Sequence, residues 1–193
     1  VTAEVAIDTV FVGSSADDVL VGGNGNDQLT GLGGNDLLNG NAGNDVIDAG
    51  AGNDTIIGGT GSDLLLGGSG NDSYLLYNDS GIDFLNDISG PGGINQVIFG
   101  PYVDLYSINL GIGSLLISYG NQGSQIHIEN FDPNNVYGPR AIDQFVFDDG
   151  TVLTYEQLLA RGFDIAGTAG DDVLSGTNIH DRLVGGAGDD ILL

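Results

Sequence analysis

Between residues 13 and 75 a nine-residue unit recurs seven times with no insertion. The copies read GSSADDVLV, GGNGNDQLT, GLGGNDLLN, GNAGNDVID, AGAGNDTII, GGTGSDLLL and GGSGNDSYL. Asp holds the sixth place of each copy, as Asp18, Asp27, Asp36, Asp45, Asp54, Asp63 and Asp72. A large apolar or aromatic residue holds the eighth, as Leu20, Leu29, Leu38, Ile47, Ile56, Leu65 and Tyr74. Three further copies close the chain: GTAGDDVLS from Gly167, GTNIHDRLV from Gly176 and GGAGDDILL from Gly185. So strict a short period confines the chain to a quasi-one-dimensional stack, in which each unit touches only its neighbours along one axis.

Gly at the first, second and fourth places admits backbone conformations that a Cβ forbids, so the first six residues of a copy are predicted to form a turn. The last three, such as Gln28, Leu29 and Thr30, are predicted to form a short strand with the middle side chain inward. Two turns and two strands then make one flattened coil. Copies n and n+2 stack on one edge, and odd and even copies occupy opposite edges.

Apolar burial cannot hold such a stack alone. Backbone ordering costs about 1–2 kcal/mol per residue, whereas one buried Leu or Ile per copy returns only about 1.5–3 kcal/mol. Strand hydrogen bonds add about 1 kcal/mol net each. Residues 13–75 also carry nine Asp and no Lys, Arg, His or Glu, so the bare stack repels itself. Calcium answers both problems, because it takes about six to eight oxygens at about 2.3–2.6 Å, which a carboxylate and turn carbonyls from two stacked copies can supply. The predicted pairs are Asp18 with Asp36, Asp36 with Asp54, and Asp54 with Asp72 on one edge, and Asp27 with Asp45, and Asp45 with Asp63, on the other. The candidate ligands are these seven Asp, then Asp172, Asp181 and Asp190, with the turn residues Gly22, Asn24, Gly31, Gly33, Gly40, Ala42, Gly58 and Thr60. Pairing the copies predicts about five calcium ions in the first roll and about one or two in the second. Metal binding then becomes folding free energy. The motif is degraded at Asp18, whose copy lacks the second and fourth Gly, and at Asp181, whose copy has Ile179 in place of Gly.

Charge narrows the partners. The formal charge is −24, with 27 acidic residues against three Arg and no Lys, which excludes nucleic acid and basic docking to an anionic membrane. There is no Cys to build a disulfide or thiolate site, and no apolar run long enough to span a membrane. Extracellular calcium modules bind at about 10⁻⁴–10⁻³ M, which predicts a secreted chain or one at the cell surface. The start VTAEVAIDTVF lacks the pattern of a signal peptide, and the chain stops on a repeat strand at Leu193; both lead us to expect a piece of a longer protein.

The phase is lost after the seventh copy. We divide the chain into a lead-in at 1–12, a first roll at 13–77, a β-rich module at 78–166 and a second roll at 167–193. Strands are predicted in the module near 73–77, 83–86, 96–99, 115–119, 125–128 and 144–147. Turns are predicted at 78–81, 90–93, 120–123 and 148–150. One short helix is predicted at 155–161, with Thr154 as N-cap and Gly162 as C-cap.

The nonapeptide resembles the RTX haemolysin-type calcium-binding repeat. YLLYNDSGIDFLND, NQVIFGPYVDL, SLLISYGNQGSQIHIENF and IDQFVFDDGTVLTYEQLL are similar to the haemolysin-type calcium-binding protein-related domain found between such repeats. Together these imply an all-β fold, a right-handed parallel β-roll (a calcium-stacked β-solenoid) interrupted by a β-rich module with one short helix. The resemblance also implies a non-enzymatic, calcium-binding module of a larger secreted bacterial protein. Such a module is unfolded at low calcium, folds outside the cell, and has the rest of the parent polypeptide and a type I secretion apparatus as partners. Two other readings stay open: the C-terminal tail of a secreted protease or lipase whose catalytic domain lies elsewhere, and a calcium-stiffened adhesin segment. The apolar outward positions Val19, Leu37, Val46, Leu64, Ile57 and Leu66 leave a homodimer open as well.

Catalytic constellations are weak. Asp148 and Asp149 read as a solvated hairpin tip, His127 as a surface residue on a strand, and His180 as filler in a degenerate repeat. Ser107, Ser114 and Ser118 have no nucleophile elbow, and Glu129, Asn130 and Asp132 read as a loop rather than a further calcium site. No enzymatic activity is expected.

Overall fold

The computed structural model describes residues 6–78, 81–87, 93–111 and 114–193. After a lead-in strand β1 (Val10–Val12), each apolar eighth place of the first block sits on a strand: β2 (Val19–Val21), β3 (Gln28–Gly33), β4 (Leu37–Ala42), β5 (Val46–Ala51), β6 (Thr55–Thr60), β7 (Leu64–Ser69) and β8 (Ser73–Leu76). Odd strands stack in parallel in one sheet and even strands in another. The register runs Gln28↔Val46↔Leu64 on one side and Leu37↔Thr55↔Ser73 on the other. Copies n and n+2 therefore lie over one another, as the period predicts. Between the sheets Leu29, Leu38, Ile47, Ile56, Leu65 and Tyr74 meet and are fully buried.

The strands correct one expectation. β3 to β7 are six residues long rather than three, and the turn shrinks to places four to six. Places one to three continue the ladder, as in Leu32↔Gly50 and Gly33↔Ala51. A coil with neighbours on both sides can pair these backbone groups instead of leaving them to solvent. At the ends, β1 and β2 keep the expected three residues. The longer strand bends at place two, where Leu32, Asn41 and Gly50 have φ of 79°, 74° and 102°. Gly is at ease in this left-handed region; Leu32 and Asn41 bear a Cβ penalty there.

Past residue 77 the period is gone but the stack continues. β9 (Ile82–Asn86) pairs in parallel with β7, and β10 (Gln96–Phe99) with β8. Next come β11 (Asn109–Gly111), β12 (Leu115–Tyr119), β13 (Ser124–Ile128), β14 (Gln144–Val146) and β15 (Val152–Thr154). β13 adds in parallel to β9 and β14 to β10, so Tyr74, Val97 and Phe145 lie in one inner row. Antiparallel β12, β11 and β15 then finish the two sheets. The insertions are absorbed in turns while the inner row keeps its register.

Helix α1 (Tyr155–Leu159) begins where predicted. The Thr154 hydroxyl accepts from the Gln157 amide and the Gln157 side chain accepts from the Thr154 amide, a full capping box. The helix ends at Leu159, with Ala160 rather than Gly162 as its C-cap, and Gly162 follows in the left-handed region. The 3₁₀ turn Leu105–Ser107, β11 and β15 are absent from the sequence reading, as is β16 (Phe163–Ala166). The predicted turns at 78–81 and 90–93 fall partly, at 79–80 and 90–92, outside the described residues, as do 1–5 of the lead-in. The closing repeats give β17 (Val173–Leu174), β18 (Asp181–Val184) and β19 (Ile191–Leu192), with β16 pairing β18 and β17 pairing β19 in parallel.

Two substitutions test this account. Ile47→Ala should cost about 2–5 kcal/mol, because the cavity lies where coils above and below cannot collapse. Leu32→Gly should instead stabilise by about 1 kcal/mol, since Leu32 is 53% exposed and sheds its left-handed penalty. Chemical denaturation of the two variants in excess calcium measures both.

Candidate metal centre

The sixth-place Asp, the eighth-place apolar residue and the first-place Gly of the next copy share one face of each strand, because side chains alternate. The carboxylates therefore point inward beside the apolar row. Asp27, Asp36, Asp45, Asp54, Asp63 and Asp72 are at most 3% exposed.

One oxygen of each carboxylate is fully accounted for. Oδ1 of Asp36, Asp54 and Asp72 accepts the backbone N–H of Asp18, Asp36 and Asp54, at 2.8, 2.7 and 2.8 Å. On the opposite edge, Oδ1 of Asp45 and Asp63 accepts from the amides of Asp27 and Asp45, at 2.7 and 2.8 Å. All five predicted Asp pairs are thus brought together. The ladders also run on into the module, where sequence reading did not look. The Asp63 amide donates to Asp83, the Asp72 amide to Asn95 at 2.8 Å, and the Asn95 amide to Asp143 at 3.0 Å. The spacing changes from 18 to 20, 23 and 48 residues, so no fixed period could have revealed them.

The other oxygen decides the chemistry. Oδ2 of Asp36, Asp45, Asp54 and Asp72 is buried and accepts no hydrogen bond. At the ends the same atom is satisfied: Asp18 by the Ser14 amide at 2.6 Å, Asp27 by Gly23 at 2.6 Å, and Asp172 by Thr168 at 2.7 Å. Asp181 is likewise held by the Thr177 amide at 2.5 Å. An unpaired buried acceptor costs about 1–3 kcal/mol, and more when charged.

A carbonyl faces that oxygen. A Cβ placed on Gly22 would lie 2.5 Å from the Gly40 carbonyl oxygen and 2.6 Å from Asp27 Oδ2. The same two kinds of oxygen crowd Gly31 (Asp36 and Ala49) and Gly40 (Asp45 and Gly58), while at Gly58 it is Asp63. The first place is Gly, or Ala at Ala49, because a larger side chain would fill this cradle. A hard divalent cation fits the donor set, which is anionic and carbonyl oxygen with no protonated group among it. Among the described residues no three Asp, Glu, His or Cys side chains converge on one point; each coil brings one carboxylate, so backbone oxygens must supply the rest. The third-place candidates are differently engaged. The Thr60 carbonyl accepts the Gly43 amide at 2.9 Å, the Ala42 and Gly33 amides donate to Gly23 and Ser14, and Asn24 lies exposed in its turn. In the second roll the Asp172 amide donates to Asp190 at 3.1 Å.

Burial pushes Asp54 and Asp72 up to about 6 from an ordinary 3.8; accepted backbone N–H groups oppose this, and neighbouring carboxylates add to it. Asp45 is raised by burial too, against the Asp27 amide and with the Asp27 charge.

A second ladder, on the surface, escaped the sequence reading. The fifth-place amides of Asn35, Asn53 and Asn71 donate to the side-chain Oδ1 of Asp17, Asn35 and Asn53, and those of Asn44 and Ser62 to Asn26 and Asn44. The recurrent Asn before Asp27, Asp36, Asp45, Asp54 and Asp72 was the available signal. Elsewhere, Ser114 Oγ lies 2.6 Å from His127 Nδ1, with the His127 ring stacked on Phe84 at 5.0 Å. Asp149 accepts from the Thr151 amide, and Asp132 from the Asn134 amide.

Comparison with known proteins agrees with the repeats. Residues 12–47, 39–74 and 164–193 match the RTX calcium-binding nonapeptide repeat (4 copies), and residues 115–157 match the haemolysin-type calcium binding protein related domain. No curated protein matches the chain. Among solved structures, the extracellular lipase LipA from Serratia marcescens is similar over 98% of this chain at 19% identity and a TM-score of 0.33. This chain spans 25% of that lipase. Among the described residues no helix is long and apolar enough to cross a membrane.

The raised carboxyls set a pH dependence for the cation-free chain. Between about 4 and about 6 the folded stack holds protons that the unfolded chain has released, so stability falls as pH rises through that window. Acidification from pH 7 to pH 4 in chelator should therefore increase β-structure, as read by circular dichroism.

Proposed function

We propose, from the premise that this chain carries RTX calcium-binding nonapeptide repeats and a haemolysin-type calcium binding protein related domain, that it is a non-enzymatic module of a larger secreted protein, folded by calcium. One observation carries this reading: the buried Oδ2 atoms of Asp36, Asp45, Asp54 and Asp72 have no hydrogen-bond partner, in a stretch with no cationic side chain.

Calcium supplies the positive charge that these oxygens lack. The carboxylates of Asp27, Asp36, Asp45, Asp54, Asp63 and Asp72 would hold it, with the carbonyls of Gly40, Ala49 and Gly58 facing them across first-place Gly. About five ions fall in residues 13–77 and about one or two in 167–193, by the pairing of stacked copies. The module at 78–166 extends the first roll and hands over to the second. Where calcium is scarce, as inside a cell, the acidic coils stay open and can be threaded through a type I secretion channel. In millimolar calcium outside, the columns are neutralised and the stack closes.

A calcium titration followed by far-UV circular dichroism, with magnesium as control, tests the reading. A cooperative transition from coil to β-structure should appear near about 10⁻³ M calcium and not with magnesium, which resists dehydration and demands octahedral geometry. A chain already folded in chelator and indifferent to calcium would sink it. Asp45→Asn, between two neighbours in its column, should raise the calcium midpoint about tenfold; Asp181→Asn, whose carboxylate is held by Thr177, should leave it nearly unchanged.

A further inference from the structure

The seventh copy ends the periodic block with two departures. Its eighth place is Tyr74 rather than Leu or Ile, and the residue over its first place is an Asp. The register Leu66↔Asn86 puts Asp87 above Gly67, where the preceding coils offer only a backbone carbonyl. A Cβ on Gly67 would lie 2.8 Å from Asp72 Oδ2, 2.7 Å from Asp87 Oδ2, and nearer still to the Tyr74 hydroxyl. The Tyr74 hydroxyl donates to Asp87 Oδ2 at 2.7 Å. Tyr74 and Asp72 are fully buried and Asp87 is 4% exposed. Asp72 Oδ2 has no hydrogen-bond partner and faces into this cluster.

We propose that Asp72, Asp87 and Tyr74 form a divalent-cation site of a composition not found in the nonapeptide, closing the column where the repeats meet the module. It rests on the reading that the repeats bind calcium. Two carboxylates from successive coils meet at one buried point, whereas each repeat cradle holds one carboxylate and a carbonyl. Doubling the anionic charge favours a hard cation of calcium size. The phenol proton is committed to Asp87 and the phenol oxygen accepts the Gly67 amide, which leaves one lone pair for a cation. Asp87 is thereby held in place and the site fastens the last repeat coil to β9.

Tyr74 also makes the site observable. It is the sole aromatic residue between Gly13 and Leu75, and the chain has no Trp, so a lanthanide bound here is sensitised by one adjacent phenol. The experiment is titration of the whole chain with terbium under tyrosine excitation, together with calcium counting by equilibrium dialysis, on wild type, Asp87→Asn and Tyr74→Phe. Wild type should give strong sensitised emission. Tyr74→Phe should lose most of it while keeping the β-signal in calcium. Asp87→Asn should bind one calcium fewer, and its emission should need about tenfold more terbium. If Asp87→Asn does not fold in saturating calcium, the Tyr74→Phe comparison decides alone. Emission unchanged in Tyr74→Phe, or an unchanged calcium count in folded Asp87→Asn, overturns the site, with Asp72 and Asp87 sharing a proton instead. A wild-type chain that binds no calcium at all would overturn the broader reading and this site with it.

Discussion

The structure turns on one imbalance: inward carboxylates with half of their acceptor capacity unused. Each interior Asp ties its coil to the one before through Oδ1 and a backbone amide. At Asp36 and Asp45 the second oxygen faces a carbonyl across a first-place Gly. Everything else follows from this. First-place residues stay small because the space is needed, the apolar row must stop short of the carboxylates, and two sheets can stack so closely only if positive charge arrives from outside the polypeptide. In most soluble folds a buried charge is met by a side chain of opposite sign. With three Arg in the whole chain, all at or beyond residue 140, this fold has none to offer the first roll.

Stability is therefore shared between an apolar row, which gives the coils their alignment, and a polar column, which sets the condition under which they close. The two are coupled by the alternation of side chains along a single strand. Asp27, Leu29 and Gly31 belong to different physical subsystems, yet they occupy one face of one short stretch. The fifth-place Asn ladder adds a third set of coil-to-coil links on the surface. Past Asp17 it uses neutral side chains and so asks nothing of the solvent's ions. The end coils show how the arrangement gives way: where a second-place amide turns toward Asp18, Asp27 or Asp172, the carboxylate is satisfied internally.

What could be read in advance was set by periodicity. Seven copies in unbroken phase specify the coil, its stacking rule, the inner row and the Asp pairs, since each of these depends only on a residue's place in the unit. Strand length was misjudged, because pairing at places two and three depends on having neighbours on both sides, a property of the stack and not of the copy. Module strands such as Gln96–Phe99 and Leu115–Tyr119 were legible from local alternation; that they continue the same sheets was not. Asp83, Asn95 and Asp143 take up the inner ladder after intervals of 20, 23 and 48 residues, and a period search is blind to irregular intervals. Asp87 was hidden for a related reason: its role depends on the coil it lies above, and no local motif surrounds it.

The stacking rule has a mechanical side. Successive coils of one edge are eighteen residues apart along the chain, so an open coil can reach roughly 60 Å. Once stacked, the same residues advance the axis by one strand spacing, about 4.8 Å. Closing the roll thus shortens the chain more than tenfold, and each coil that closes draws in the chain still open behind it. A roll anchored at one end would act as a winch, taking up slack in small steps and holding each step with a column of carboxylates.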